Sequence, residues 1–255
     1  PIGASLEENK EMEHTHMGLA AKLKDGRRVN LFAAKDMRED FLSPIGFGAL
    51  MGILKNYDVV NPFVSATNDA FNRLKPGYEA PVCVVTSLGH GVELPSRNRT
   101  VLVGLVRDVE NPLATRFELR APNPKSNTYL VLAASYMAML DGIKAALEAR
   151  KTSKELEASI SKDFEQEDFY LERDRLYRSE LDVFEEYTSQ ERDVLFGRAP
   201  RTVWENICAF DDHAEKLEIF QRDNVMTPIT LASYKEAIVG QWATELHNRI
   251  VPNTM

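Results

Sequence analysis

The chain has 255 residues, 44% of them hydrophobic and 27% charged, ordinary values for a globular protein. Its net charge of -8 argues against wholesale binding to nucleic acid. No apolar run reads as long enough to cross a bilayer and no signal peptide is visible, so no membrane partner is expected. Cys83 and Cys208 sit in apolar surroundings, which fits buried thiols in a reducing, cytoplasmic compartment.

In chain order, "EMEHTHMGLAAKL" reads as a strand, with His14 and His16 emerging on one face. "DGRR" is a turn leading into the short run "VNLFAA". Ser43 and Pro44 form a helix start, Ser at the N-cap and Pro at N1. The helix should run through "IGFGALMGILKNY". Its Gly46, Gly48 and Gly52 each cost roughly 1 kcal/mol against Ala, which close helix packing would explain. The stretch "NPFVSATNDAFNRLKPGYEAP" is loop-rich, with a short helical piece around Asp69–Leu74.

"VCVVTS", "TVLVGLV" and "TRFELRA" read as strands. After Asn127 comes a helix whose apolar residues run nearly all round its first three turns, predicting burial. Downstream of 150 almost everything reads as helix. One charged stretch should last until Gly197 and Pro200, and a final helix should open at Thr227-Pro228. The expected fold class is α+β. Residues 1–150 form the mixed part, and residues 151–255 a helical extension packing on it or on a neighbouring subunit.

Chemistry concentrates in the first part. Arg97, Arg99, Arg107, Arg116 and Arg120 make a basic segment in an acidic chain, pointing to an anionic ligand. Arg116, Glu118 and Arg120 recur at period two, with Phe117 and Leu119 facing the core. One carboxylate between two guanidiniums is either a mutually paired polar face or a seat for a metal-bound phosphate. His14 and His16 could bind a metal, or one a metal and the other a phosphate. Glu79 stands on a loop that Pro81 keeps from helix, where it is either a positioned general base or an exposed acid. Arg97 and Arg99 have the spacing to grasp a polyphosphate from one side.

His14-Thr15-His16, "NRLKPGYEAP", "RNRT", "RFELR", "PNP", "NTYL" and "AASYMAMLDGIK" follow one another in an order that resembles the glutamine synthetase catalytic domain. The resemblance covers about residues 9 to 145. It implies part of a catalytic barrel, an antiparallel sheet with flanking helices, whose substrates are ATP, glutamate and ammonium. It also implies Mg2+ or Mn2+ as cofactor and a homo-oligomer of stacked rings. His14 and Glu118 then match metal ligands. His16, Arg73, Arg120 and Asn9 match substrate-binding residues. Arg116 and Arg99 match arginines that meet the transferred phosphate, and Arg97 and Arg107 are the candidate nucleotide contacts. Glu79 matches a flap glutamate that takes a proton from ammonium.

The sequence departs from the family pattern in places. Asn9-Lys10-Glu11-Met12-Glu13 replaces a glycine-rich run, Gly104 stands where an arginine is usual, and Leu113 where a lysine is usual. "LGHGVELPS" is an insertion before the arginine turn. These differences point to a divergent branch that uses another amine or acid, or to a homologue that has lost activity. The family's other metal glutamates and its N-terminal β-grasp domain would lie upstream of His14. The chain is therefore expected to be the C-terminal part of a larger enzyme and inactive by itself.

Overall fold

A computed structural model of the chain describes residues 13–67, 70–71 and 81–249. The elements are β1 (Thr15–Met17), β2 (Ala20–Lys22), β3 (Arg28–Asn30), α1 (Pro44–Val64), β4 (Thr86–Ser87), β5 (Val103–Val106) and β6 (Arg116–Leu119). Then come α2 (Thr128–Glu148), α3 (Ser153–Ile160), α4 (Ser189–Leu195), α5 (Val203–Asp212), α6 (Glu218–Gln221) and α7 (Pro228–Arg249). The main sheet has the order β1-β6-β5-β4; β1, β6 and β5 pair antiparallel and β4 joins β5 in parallel. β2 and β3 form a separate hairpin. Its turn uses Gly26 at φ +88°, a left-handed conformation open to glycine.

The period-two reading of "RFELR" holds. Phe117 and Leu119 are fully buried, whereas Arg116 and Glu118 alternate with them on the other face. Phe117 stacks on Phe32 with ring centroids 4.7 Å apart, and both belong to the core that α1 and α2 complete. Burying each such ring stabilises the fold by about 1.5–3 kcal/mol.

α1 starts as its sequence predicts: Ser43 Oγ accepts the Gly46 N–H at 3.0 Å, with Pro44 at the first position. Its glycines have the packing reason expected of them. A Cβ on Gly52 would overlap the carbonyl of Ala138, and one on Gly142 of α2 would overlap the carbonyl of Gly48. The two helices therefore touch backbone to backbone. α2 has the length and the mean hydropathy (1.5) to cross a membrane, which the sequence reading did not credit to any run. Here one face of it packs on α1. Its first turns are less buried than predicted, and Tyr129 is 85% exposed.

The largest correction lies between residues 161 and 188, read from sequence as helix and found without one. Asp168 Oδ1 accepts from the N–H of Tyr170 and Leu171, and Asp182 Oδ1 from Phe184 and Glu185. Such local turns compete with helical hydrogen bonds. The fully buried side chains here, Tyr177 and Val183, are six residues apart and enter different apolar clusters, which one helical face could not arrange. The segment instead runs along the sheet edge. The Thr86 N–H donates to the Tyr177 carbonyl at 2.9 Å, and the Ser179 N–H donates to the Thr86 carbonyl at 2.9 Å.

Candidate active site

Register across three strands assembles the polar face. His16 lies opposite Glu118 on β6, and Glu118 opposite Gly104 on β5. Directly opposed residues share a face, and diagonal neighbours are within reach of long side chains. Both histidines use the diagonal. His14 Nδ1 stands 2.6 Å from Glu118 Oε1, and Arg116 Nε donates to His16 Nδ1 at 3.0 Å.

Glu118 Oε1 also accepts from Arg120 Nη1 at 2.8 Å. Arg120 is 5% exposed, so its guanidinium is held by partners rather than water: Glu118, and the Arg99 carbonyl at 2.9 Å from Nε. A buried cation needs such pairing, since desolvation alone would cost several kcal/mol. Glu118 Oε2 faces β5, where Gly104 presents no side chain; a Cβ there would make ordinary contact at 3.8 Å.

A cavity of about 580 Å3 opens over these groups. His14, Glu118 and Arg120 line it from the sheet, and Ser96, Arg97, Asn98 and Arg99 from the turn above. An acid flanked by an imidazole and a guanidinium thus faces two further exposed arginines, a composition suited to a cation together with a polyphosphate.

The structure brings together five candidates: His14, Arg97, Arg99, Glu118 and Arg120. His16 and Arg116 sit on the same sheet face, paired with each other, outside the cavity lining; Arg116 Nη1 donates to the Ala114 carbonyl at 2.8 Å. Arg107 points elsewhere. It donates to the carbonyls of Val92 at 2.8 Å, Met37, and Asp40 at 3.2 Å, pinning the 37–40 and 92 loops together. Asn9, Arg73 and Glu79 lie outside the described residues, as do Lys10, Met12 and most of Asp69–Leu74.

Sequence reasoning passed over Asn98 and Glu180. Asn98 Oδ1 accepts the Thr100 N–H at 2.9 Å and the Thr100 hydroxyl at 2.7 Å, and Asn98 Nδ2 donates to the Leu181 carbonyl at 2.6 Å. The position of an asparagine between two arginines was the one local signal, because Asn readily closes such turns. Glu180 accepts from the N–H of Leu88 at 3.1 Å and Gly89 at 2.8 Å, from Arg178 Nε at 2.7 Å, and from the Ser87 hydroxyl. Burial would raise its pKa, but those hydrogen bonds outweigh burial and hold the carboxyl below the usual range.

Mg2+ and Mn2+ favour oxygen ligands in octahedral shells, Mn2+ also imidazole, and Mg2+ takes one or two carboxylates plus water and phosphate oxygens. His14 and Glu118 fit two positions of such a shell. Among the described residues no group of three or more His, Cys, Asp or Glu side chains converges as a metal site. The remaining ligands would come from water, substrate or residues beyond those described.

The family model described as "Glutamine synthetase, catalytic domain" matches residues 5–169, and the chain belongs to that family. It is 39% identical over 134 residues to glutamine synthetase of Escherichia coli (strain K12), covering 51% of this chain and 24% of that protein. It is 37% identical over 131 residues to that of Aquifex aeolicus, covering 51% and 25%. The chain thus spans about a quarter of the length of these curated relatives. Among solved structures, Plasmodium falciparum glutamine synthetase superposes with a TM-score of 0.63 at 19% identity, over 97% of this chain and 46% of that one. Apo GmaS superposes with a TM-score of 0.54 at 20% identity, over 91% and 41%. These two show the fold, helical half included.

Proposed function

We propose that this chain is the active-site part of a cytoplasmic, ring-forming ligase that joins ammonia to glutamate at the expense of ATP. The reaction gives glutamine through γ-glutamyl phosphate. The observation that carries the reading is the Glu118 carboxylate, held between His14 and the buried Arg120, in a cavity walled by Arg97 and Arg99.

His14 and Glu118 would hold Mg2+ or Mn2+, which when bound supplies charge neutralisation for the transferred phosphate. Arg97 and Arg99 bind the polyphosphate from the turn and offset charge on its oxygens. Arg120 fixes the orientation of Glu118. Arg116 and His16, beside the cavity, orient each other and meet the glutamate end of the substrate. Glu79 takes the proton from ammonium as the amine attacks the acyl phosphate. Full-length protein given glutamate, ATP, Mg2+ and ammonium should yield glutamine and ADP one for one. Absence of ammonium-dependent ADP release would overturn the reading, whether or not another amine supports turnover.

One observation favours a second reading, a homologue that binds ligands without turnover. The β5 position opposite Glu118 is Gly104, and Arg107 on the same stretch is committed to loop carbonyls, so no cation reaches the cavity from β5. Calorimetric ATP binding without ADP release would decide for it.

A further inference from the structure

The stretch Ser179–Leu181, well outside the sequence motifs, backs the arginine turn at two points. The first is Asn98, whose side-chain amide donates to the Leu181 carbonyl at 2.6 Å and reaches the Ser179 carbonyl at 3.5 Å. The second is a line of hydroxyls. Ser87, fully buried, bonds both Ser96 and Glu180, and Ser96 Oγ accepts the Asn98 N–H at 3.1 Å.

Ser87 has one hydroxyl proton, and a carboxylate is the stronger acceptor. Ser87 therefore donates to Glu180, and Ser96 donates to Ser87. The polarity of the line runs from the Asn98 N–H through Ser96 and Ser87 to Glu180, which is anchored by the N–H groups of Leu88 and Gly89 and by Arg178. Every link has a donor and an acceptor, so the turn has little freedom to tilt Arg97 and Arg99 away from the cavity.

We propose that Glu180, acting through Ser87 and Ser96, is a positioning residue for the Arg97–Arg99 anion clamp, with Asn98 as the second tie. Ser179–Leu181 is thereby a working part of the site rather than an appended support. The proposal rests on the ligase reading for the identity of the anion, but its geometric content does not.

The test is Glu180→Ala in the full-length protein, read in two ways. Hydrogen–deuterium exchange should quicken at least tenfold at residues 96–100 while α1 is unchanged. The KM for ATP should rise at least fivefold and kcat should fall by less, since Arg99 also offsets charge on the phosphate oxygens. Glu180→Gln, which keeps one acceptor oxygen and turns an amide N–H2 toward two of the four donors, should recover only part of the exchange protection and of the KM. Unchanged exchange at 96–100, or faster exchange with an unaltered KM, would overturn the proposal. If the wild type turns over no ATP, the ligase reading fails, and exchange together with triphosphate binding by calorimetry decides the positioning claim. Should Glu180→Ala not fold, Ser87→Ala removes the link between Ser96 and Glu180 without placing a charge in the cavity, and is held to the same outcomes.

Discussion

His14 Nδ1 and Glu118 Oε1 meet at 2.6 Å across two antiparallel strands, although 104 positions separate them in the chain. The contact exists because β1 pairs with β6 in one register, placing His16 opposite Glu118 and His14 on the diagonal. A slip of one residue would send both histidines to the core face. The candidate site is therefore a property of sheet register first and of side-chain chemistry second.

Arg120 holds Glu118 and the Arg99 carbonyl from a buried position. Lysine cannot reproduce two divergent N–H donors on a planar group. Arg120→Lys should lower unfolding free energy by about 1–3 kcal/mol in urea titrations of the full-length protein. An unchanged midpoint would mean the buried pair contributes nothing.

Where α1 crosses α2, added volume has nowhere to go. Gly52→Ala should destabilise by about 1–3 kcal/mol or more, because its Cβ would meet the Ala138 carbonyl. Gly240 in α7 has nothing within 4 Å of an added Cβ. Gly240→Ala should raise stability by about 1 kcal/mol through helix propensity. Thermal unfolding of the two variants should shift in opposite directions.

Glu180 gives a pH signature. Its folded pKa lies below the reference value of 4.5. The carboxylate thus contributes stability that is fully present above about pH 4.5 and is lost as pH falls through the folded pKa. Melting temperature measured from pH 6 to pH 3 should fall more steeply for wild type than for Glu180→Gln below that point. Parallel curves would contradict the assignment.

Cys83 is buried, and burial pushes its thiol up to about 12, whereas Cys208 is partly exposed. Alkylation of the native protein followed by mass spectrometry should label Cys208 and spare Cys83 until denaturant is added. Equal labelling of both would place Cys83 wrongly.

Local chemistry was legible in the sequence wherever short range decides. The alternation around Phe117, the caps at Ser43 and Thr227 and the glycines of α1 all behave as their residue types require. Helix between 161 and 188 was misread because its charged, aromatic composition is helix-compatible. Its fate is set by Asp168 and Asp182 turns and by pairing with Thr86, about ninety positions away. Arg107 looked like a ligand contact by position, and only the folded loops around Met37 and Val92 occupy it. The roles of Asn98 and Glu180 are hidden for the same reason: the partners that define them, Leu181 and Ser87, are 83 and 93 residues distant.

Manganese binding to the full-length protein, followed by electron paramagnetic resonance, bears most directly on the account. His14→Ala and Glu118→Ala should each remove the same bound Mn2+ signal and weaken its affinity at least tenfold, while Arg107→Ala leaves it in place. Retention of that signal at wild-type affinity in both the His14 and the Glu118 variants would contradict a shared cation seat in this cavity.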